Sequence, residues 1–159
     1  MPNKHRNRLV HVVLDEKTLV RRRPEVEHER QVALYDLIEE NSFQPVGDWQ
    51  GPFTLHLSMD DGRMSFDIRS EDGFPLTMVR FEVRSFYSLV RDYFMVCDTY
   101  FSSIKSAPPS KIEAADMARR SLHNEGAKLL IERLKDKIEI DFDTARRLFT
   151  LLCVLHIRG

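Results

Sequence analysis

The period of the hydrophobic positions changes several times along the chain, and each change predicts an element. LVHVVLD, from Leu9 to Asp15, is short and β-branched, the composition of a strand. Apolar positions Val32, Ala33, Leu37 and Ile38 then recur at helical spacing, predicting a helix from about Val26 to Asn41. Pro24 suits its first turn, where a missing N–H has no intrahelical acceptor to lose. SFQPVGDWQGP reads as a loop.

The middle of the chain alternates with period two around two Asp-Gly pairs, Asp61-Gly62 and Asp72-Gly73. Asp-Gly supplies the positive φ angles of a tight hairpin turn. A two-residue turn at Asp61-Gly62 sets Met59 opposite Met64, Leu57 opposite Phe66 and Leu55 opposite Ile68. The same device at Asp72-Gly73 sets Phe66 opposite Val79 and Met64 opposite Phe81. Both turns place the apolar residues on one face, and a slip by one residue would expose them all. A three-stranded antiparallel meander follows, with Phe66 buried between Leu57 and Val79.

Beyond Arg84 the period becomes helical. Phe86, Leu89, Val90, Tyr93, Cys97, Tyr100 and Ile104 form one broad stripe, and Tyr87, Phe94 and Phe101 widen it at seven-residue spacing. APPS breaks the chain, with Ser110 as the expected N-cap and Glu113 in the capping-box position. A long helix should bury Ile112, Ala115, Leu122, Leu129, Leu130 and Leu134. The last helix, opened by Asp141 or Asp143, is apolar nearly all round through Leu155 and should be a buried central post. The expected class is α+β, one domain over 1–159 with residues 1–8 flexible. A small antiparallel sheet, the meander plus the N-terminal strand, is covered by three C-terminal helices and one N-terminal helix.

Composition narrows the function classes. With 159 residues, 42% hydrophobic and 31% charged, the chain can bury a core without staples. A formal net charge of −1 gives no general reason to expect nucleic acid or an anionic membrane as partner. The N-terminal end, with Arg21, Arg22 and Arg23, is a local basic exception. Cys97 and Cys153 lie alone in apolar surroundings, as buried thiols in a reducing compartment do. LFTLLCVLHI is about half the roughly 20 residues a membrane helix needs. The first residues lack a signal peptide's apolar stretch, so a cytoplasmic location is expected.

Four clusters could carry chemistry. His56 should face Asp67 across the first hairpin, either as an oriented base or as an ordinary cross-strand pair on a solvated face. Glu25 and His28 form a Glu-x-x-His, half of a di-metal pattern whose second copy is missing; Glu113 to Asp116 is the nearest substitute and lacks an imidazole. Arg21–Arg23, Arg119-Arg120 and Arg146-Arg147 could hold an anion or pair internally with residues such as Glu113, Glu125 or Asp143. Finally, SLHNEG places His123 and Asn124 near Asp116 and Arg120 on the long helix. Gly126 costs a helix about 1 kcal/mol relative to Ala, which implies close approach of a helix or a ligand. No glycine-rich phosphate loop, nucleophile elbow or Cys/His metal spacing accompanies these residues. The candidate anion set is therefore Arg119, Arg120, His123, Asn124, Arg146 and Arg147, with no catalytic residue, metal or cofactor expected.

VEHERQVALYDLIEENSF, GPFTLHLS, VRDYF, EAADMARRSLHNEGAKLL and DFDTARRLFTLLCVLHIRG together resemble, almost end to end, an uncharacterised protein family of alphaproteobacteria, UPF0262. The resemblance implies a bacterial cytosolic protein and brings no substrate, cofactor or catalytic residue. The leading expectation is a non-enzymatic binding or regulatory homo-oligomer, a dimer, motivated by the apolar surplus on the helix from Phe86 to Ile104. The alternative is an enzyme or ligand-binding protein acting on a small anionic, phosphorylated compound through the Arg and His clusters. Whether those clusters converge in space separates the two.

Overall fold

The computed structural model describes residues 6–15 and 24–156. The elements run β1 (Leu9–Leu14), α1 (Pro24–Glu39), β2 (Phe43–Pro45), β3 (Phe53–Asp60), β4 (Arg63–Ser70) and β5 (Pro75–Glu82). A 3-10 turn at Arg84–Phe86 leads into α2 (Tyr87–Ser106), then α3 (Pro109–Leu134), β6 (Ile138–Ile140) and α4 (Phe142–His156). The α+β class holds. Arg21–Arg23 and residues 1–5 lie outside the described residues. The Asn7 and Arg8 carbonyls accept from Phe43 N–H and Phe53 N–H, each at 2.9 Å.

The main sheet has the order β1-β3-β4-β5. Every predicted pair of the meander is present, from Met59 opposite Met64 to Phe66 opposite Val79, and Phe66 is fully buried. Asp61 and Gly62 both have positive φ, 50° and 75°, as the mirror-image two-residue turn requires. The second turn differs. A register shift after Ile68 sets Arg69 opposite Pro75, and Gly73 N–H donates to the Ser70 carbonyl at 3.0 Å. This is a three-residue loop with Gly73 in the left-handed position, φ 94°, so the bulge absorbs the extra residue and leaves the register intact.

The sheet is mixed, a correction to the expectation of an antiparallel one: β1 runs parallel to β3. A parallel pair needs a long crossover, and α1 lies within that connection. Asn41 joins the two parts. Its side-chain amide donates to the Leu37 and Leu9 carbonyls at 2.7 and 2.9 Å and accepts from Leu9 N–H at 2.7 Å. The stretch expected as loop also contains β2, which pairs antiparallel with β6.

Helix α4 is the buried post. Leu148, Phe149, Leu151, Leu152, Cys153 and Val154 are buried, and the helix packs on α1, α3 and β3. Asp141 caps it, its carboxylate accepting from Thr144 N–H at 2.9 Å. Ser110 does not cap α3. Pro108 takes the cap position and Pro109 the first turn, a site proline favours, so the serine falls inside the helix. A chain of rings from Phe66 through Phe81, Phe86 and Phe149 to Tyr93, with centroids 5.8–6.3 Å apart, joins the sheet to α2 and α4. Phe94 and Phe101 pack against this core, and Tyr87 stacks on His156 at 4.9 Å. The three rings that motivated a self-association surface thus have partners within one chain. No described helix is long and apolar enough to cross a membrane.

Candidate functional site

Gly126 opens the way to the site. A Cβ at this position would clash with the ring of Phe149, so only glycine lets α3 approach α4 this closely. The close approach was legible in SLHNEG; its partner is a core ring. One to two turns earlier on α3, the same helix pair carries polar side chains, and α1 closes the third wall.

A cleft of 240 Å³ forms there, lined by Arg119, Arg120 and His123 of α3, Arg146 and Arg147 of α4, and Glu29 and Asp36 of α1. Five of the six predicted anion-site residues therefore meet in one place. Asn124, the sixth, is exposed and does not line the cleft. It follows His123 by one residue, about 100° round the helix, which turns it toward solvent.

Arg119 is the most constrained of the arginines. It donates to Glu29 Oε1 at 2.9 Å and to Asp116 Oδ1 at 3.0 Å, and its guanidinium lies 4.8 Å from the Tyr100 ring centroid. Asp116 also receives Arg120 Nε at 3.1 Å, and the hydrogen bond from Arg119 holds its carboxyl below the usual range. Arg146 reaches Asp143 only at 3.7 Å, and Arg147 donates to the Glu40 carbonyl at 3.0 Å. Internal pairing thus occupies both terminal nitrogens of Arg119 and holds Arg146 loosely. Of the three expected carboxylate partners only Asp143 serves; Glu113 and Glu125 are exposed on α3 and bind none of these arginines.

Glu29 is the residue that sequence reasoning missed. It lies in the second turn of a helix rich in charged residues, yet it is 6% exposed. A signal was present: Val26, Glu29, Ala33 and Leu37 share one helical stripe, and the other three are apolar and buried. A carboxylate on such a stripe needs a buried cation, and Arg119 provides it.

His123 sits beside the Tyr93 ring at 5.2 Å, and its Nε2 is buried without a hydrogen-bond partner. Burial first, then the nearby positive charges of Arg119 and Arg146, push its pKa down to about 4, so the imidazole is neutral at pH 7. Arg119 Nε and Arg146 Nε are also buried without partners. Behind them, the Cys97 thiol lies 3.9 Å from Glu29 Oε1, and burial pushes its pKa up to about 12. A thiol so far from ionisation is a poor nucleophile, and a histidine titrating near 4 is a weak base. The arrangement offers unused donors more readily than it offers catalysis.

Residues 6–158 match the uncharacterised protein family UPF0262. The chain belongs to that family. A UPF0262 protein of Paramagnetospirillum magneticum is 59% identical over 155 residues, covering 98% of this chain and 99% of the relative. One from Bradyrhizobium sp. strain BTAi1 is 54% identical over 154 residues, 96% of this chain and 92% of its own. Another, from Rhodopseudomonas palustris strain HaA2, is 51% identical over 158 residues, 99% and 97%. No solved structure matches.

The remaining candidates scatter. His56 faces Asp67 as the register required, but Asp67 Oδ2 accepts from Arg69 Nε and Nη2 at 3.2 and 2.8 Å, which leaves the imidazole a neighbour on the open sheet face. His28 is exposed and meets Phe101 edge-on at 6.2 Å, away from the cleft residues of α1. Among the described residues no group of His, Cys, Asp or Glu could hold a metal ion.

Proposed function

We propose that this family member is a binding protein for a compact oxyanion, a phosphate group or a small carboxylate, held in the cleft between α1, α3 and α4. One observation carries the reading. Arg119, Arg120, His123, Arg146 and Arg147 converge on one cleft, and three nitrogens beneath its surface, His123 Nε2, Arg119 Nε and Arg146 Nε, have no partner, which is rare in folded proteins. Arginine N–H groups can only donate, so the missing partner of each guanidinium is an acceptor. Size favours a small ligand: 240 Å³ falls below the roughly 300–1,000 Å³ of pockets for drug-sized molecules. Asp36 and Asp143 on the rim temper the positive charge, which favours an anion chosen by geometry over one drawn in by net charge. Binding, with no chemical step, is the role that the depressed His123 and the un-ionised Cys97 fit.

Thermal melts with phosphate against chloride at equal ionic strength test the proposal. Phosphate at a hundredfold excess over its Kd should stabilise the fold by about 2.7 kcal/mol. The variants Arg146→Gln and Arg147→Gln should fold and lose that gain. If phosphate, sulfate and small carboxylates shift the melt no more than chloride does, the cleft is an internal polar junction and not a binding site.

A further inference from the structure

A second basic surface lies apart from the cleft. The sheet ends at β5, whose only strand neighbour among the described residues is β4. Val83 N–H donates to the Gly62 carbonyl at 2.9 Å just beyond the strand end. Alternation in an antiparallel ladder then turns the N–H and C=O groups of Glu82, Arg80 and Met78 outward, away from β4. Such an edge is a ready template for another strand. Two large apolar side chains stand exposed beside it, Phe74 at 71% and Met78 at 47%.

At the end of this edge a groove of 710 Å³ separates β5 from the last turn of α3. Its walls carry Arg63, Arg80, Arg84, Arg133 and Lys137 against Glu82 and Glu132. Part of that charge has local work. Arg63 stands opposite Glu82 in the ladder, and Arg133 donates to Ser85 Oγ at 3.2 Å while complementing the helix dipole. Arg80, Arg84 and Lys137 are exposed and form no ion pair among the described residues. The unpaired edge, the exposed Met78 and the uncommitted cations therefore adjoin along β5, with Phe74 at the strand's other end.

We infer that the β5 edge is a docking site for an extended acidic segment of a partner protein, which adds as a strand and sets its carboxylates among Arg80, Arg84 and Lys137. Main-chain hydrogen bonds supply affinity in this mode and side-chain charge supplies selection. Nucleic acid would use the cations and leave the unpaired backbone and Met78 unused.

Fluorescence anisotropy with a short labelled peptide of alternating Glu and Thr tests the inference. The peptide should bind with salt-sensitive affinity, and the Lys/Thr counterpart should not. Arg80→Glu with Arg84→Glu should weaken binding roughly tenfold or more, with an unchanged melt showing that the fold survives. Methylating alternate peptide nitrogens should weaken binding comparably, an arm that needs no protein variant. Absence of binding, or equal binding of the methylated peptide, overturns strand addition. Tighter binding of oligothymidine, lost in the same variants, assigns the groove to nucleic acid. A dimer in sedimentation that the Arg→Glu variants disrupt assigns the edge to self-pairing. Either of these also overturns the inference.

Discussion

Acidification should unfold this protein partly through one imidazole. His123 takes up a proton with a pKa near 6.5 when solvated but only near 4 in the fold. Between those values the unfolded chain binds a proton that the folded chain refuses, so stability falls as pH falls from about 6.5 to 4 and levels off below. The displacement corresponds to about 3 kcal/mol at 1.36 kcal/mol per pKa unit, an upper figure because the cleft admits water. Asp116 adds its own loss at the acid end, mostly below pH 4, because the hydrogen bond from Arg119 holds its carboxyl below the usual value. Urea unfolding from pH 7 to pH 4 should therefore compare the wild type with His123→Gln, in which this shared effect cancels. The wild type should lose up to about 3 kcal/mol more than the variant over that range. An anion held at His123 would favour the imidazolium, so saturating phosphate should shrink the difference and bind more tightly as the pH falls. Identical pH dependence in the two proteins would refute the placement of His123 in a desolvated, positive setting.

Glycine-to-alanine changes usually stabilise an exposed helix, but Gly126→Ala should destabilise by about 1–3 kcal/mol, because the new methyl displaces the Phe149 ring; a chemical melt that improves would disprove the close crossing. Glu29→Gln should lose about 2 kcal/mol by leaving the half-buried Arg119 with Asp116 alone, and the loss should be much smaller in an Arg119→Met background if the pair is the cause. Phe101→Ala should lower stability by about 1–3 kcal/mol with no change in sedimenting mass, since the ring packs on its own core. A drop in mass without loss of stability would make that ring an interface residue instead.

How far the sequence could be read depended on whether neighbouring residues carried the constraint. The meander was legible because two independent turns demanded one register, and a bulge beside Gly73 could absorb a residue without disturbing it. The orientation of β1 follows from its connection: a helix between two strands of one sheet implies a parallel crossover, whereas strand composition alone does not fix direction. The pair β2–β6 was hidden for a different reason. Phe43–Pro45 is too short for alternation to register, contains a proline, and finds its partner only after the meander and two helices have been laid down.

The cleft divides in the same way. His123 with Arg120 and Asp116 could be placed together on one helix by spacing, and Gly126 announced a close neighbour, but which helix came near is a tertiary fact. Glu29 shows the useful exception. Its burial is written in the phase of α1, because Val26, Ala33 and Leu37 define the inward stripe on which it lies. A charge on that stripe cannot be left unpaired in the interior, since desolvation of a lone carboxylate costs several kcal/mol or shifts it to the neutral form. The stripe therefore demands a cation from a facing helix. Arg119 meets that demand, and once it is drawn in, His123 one turn later is carried beside it into the same desolvated space. The place of Arg119 and the depressed imidazole thus follow from one buried carboxylate, which makes Glu29 the residue on which the α1–α3 side of the cleft depends.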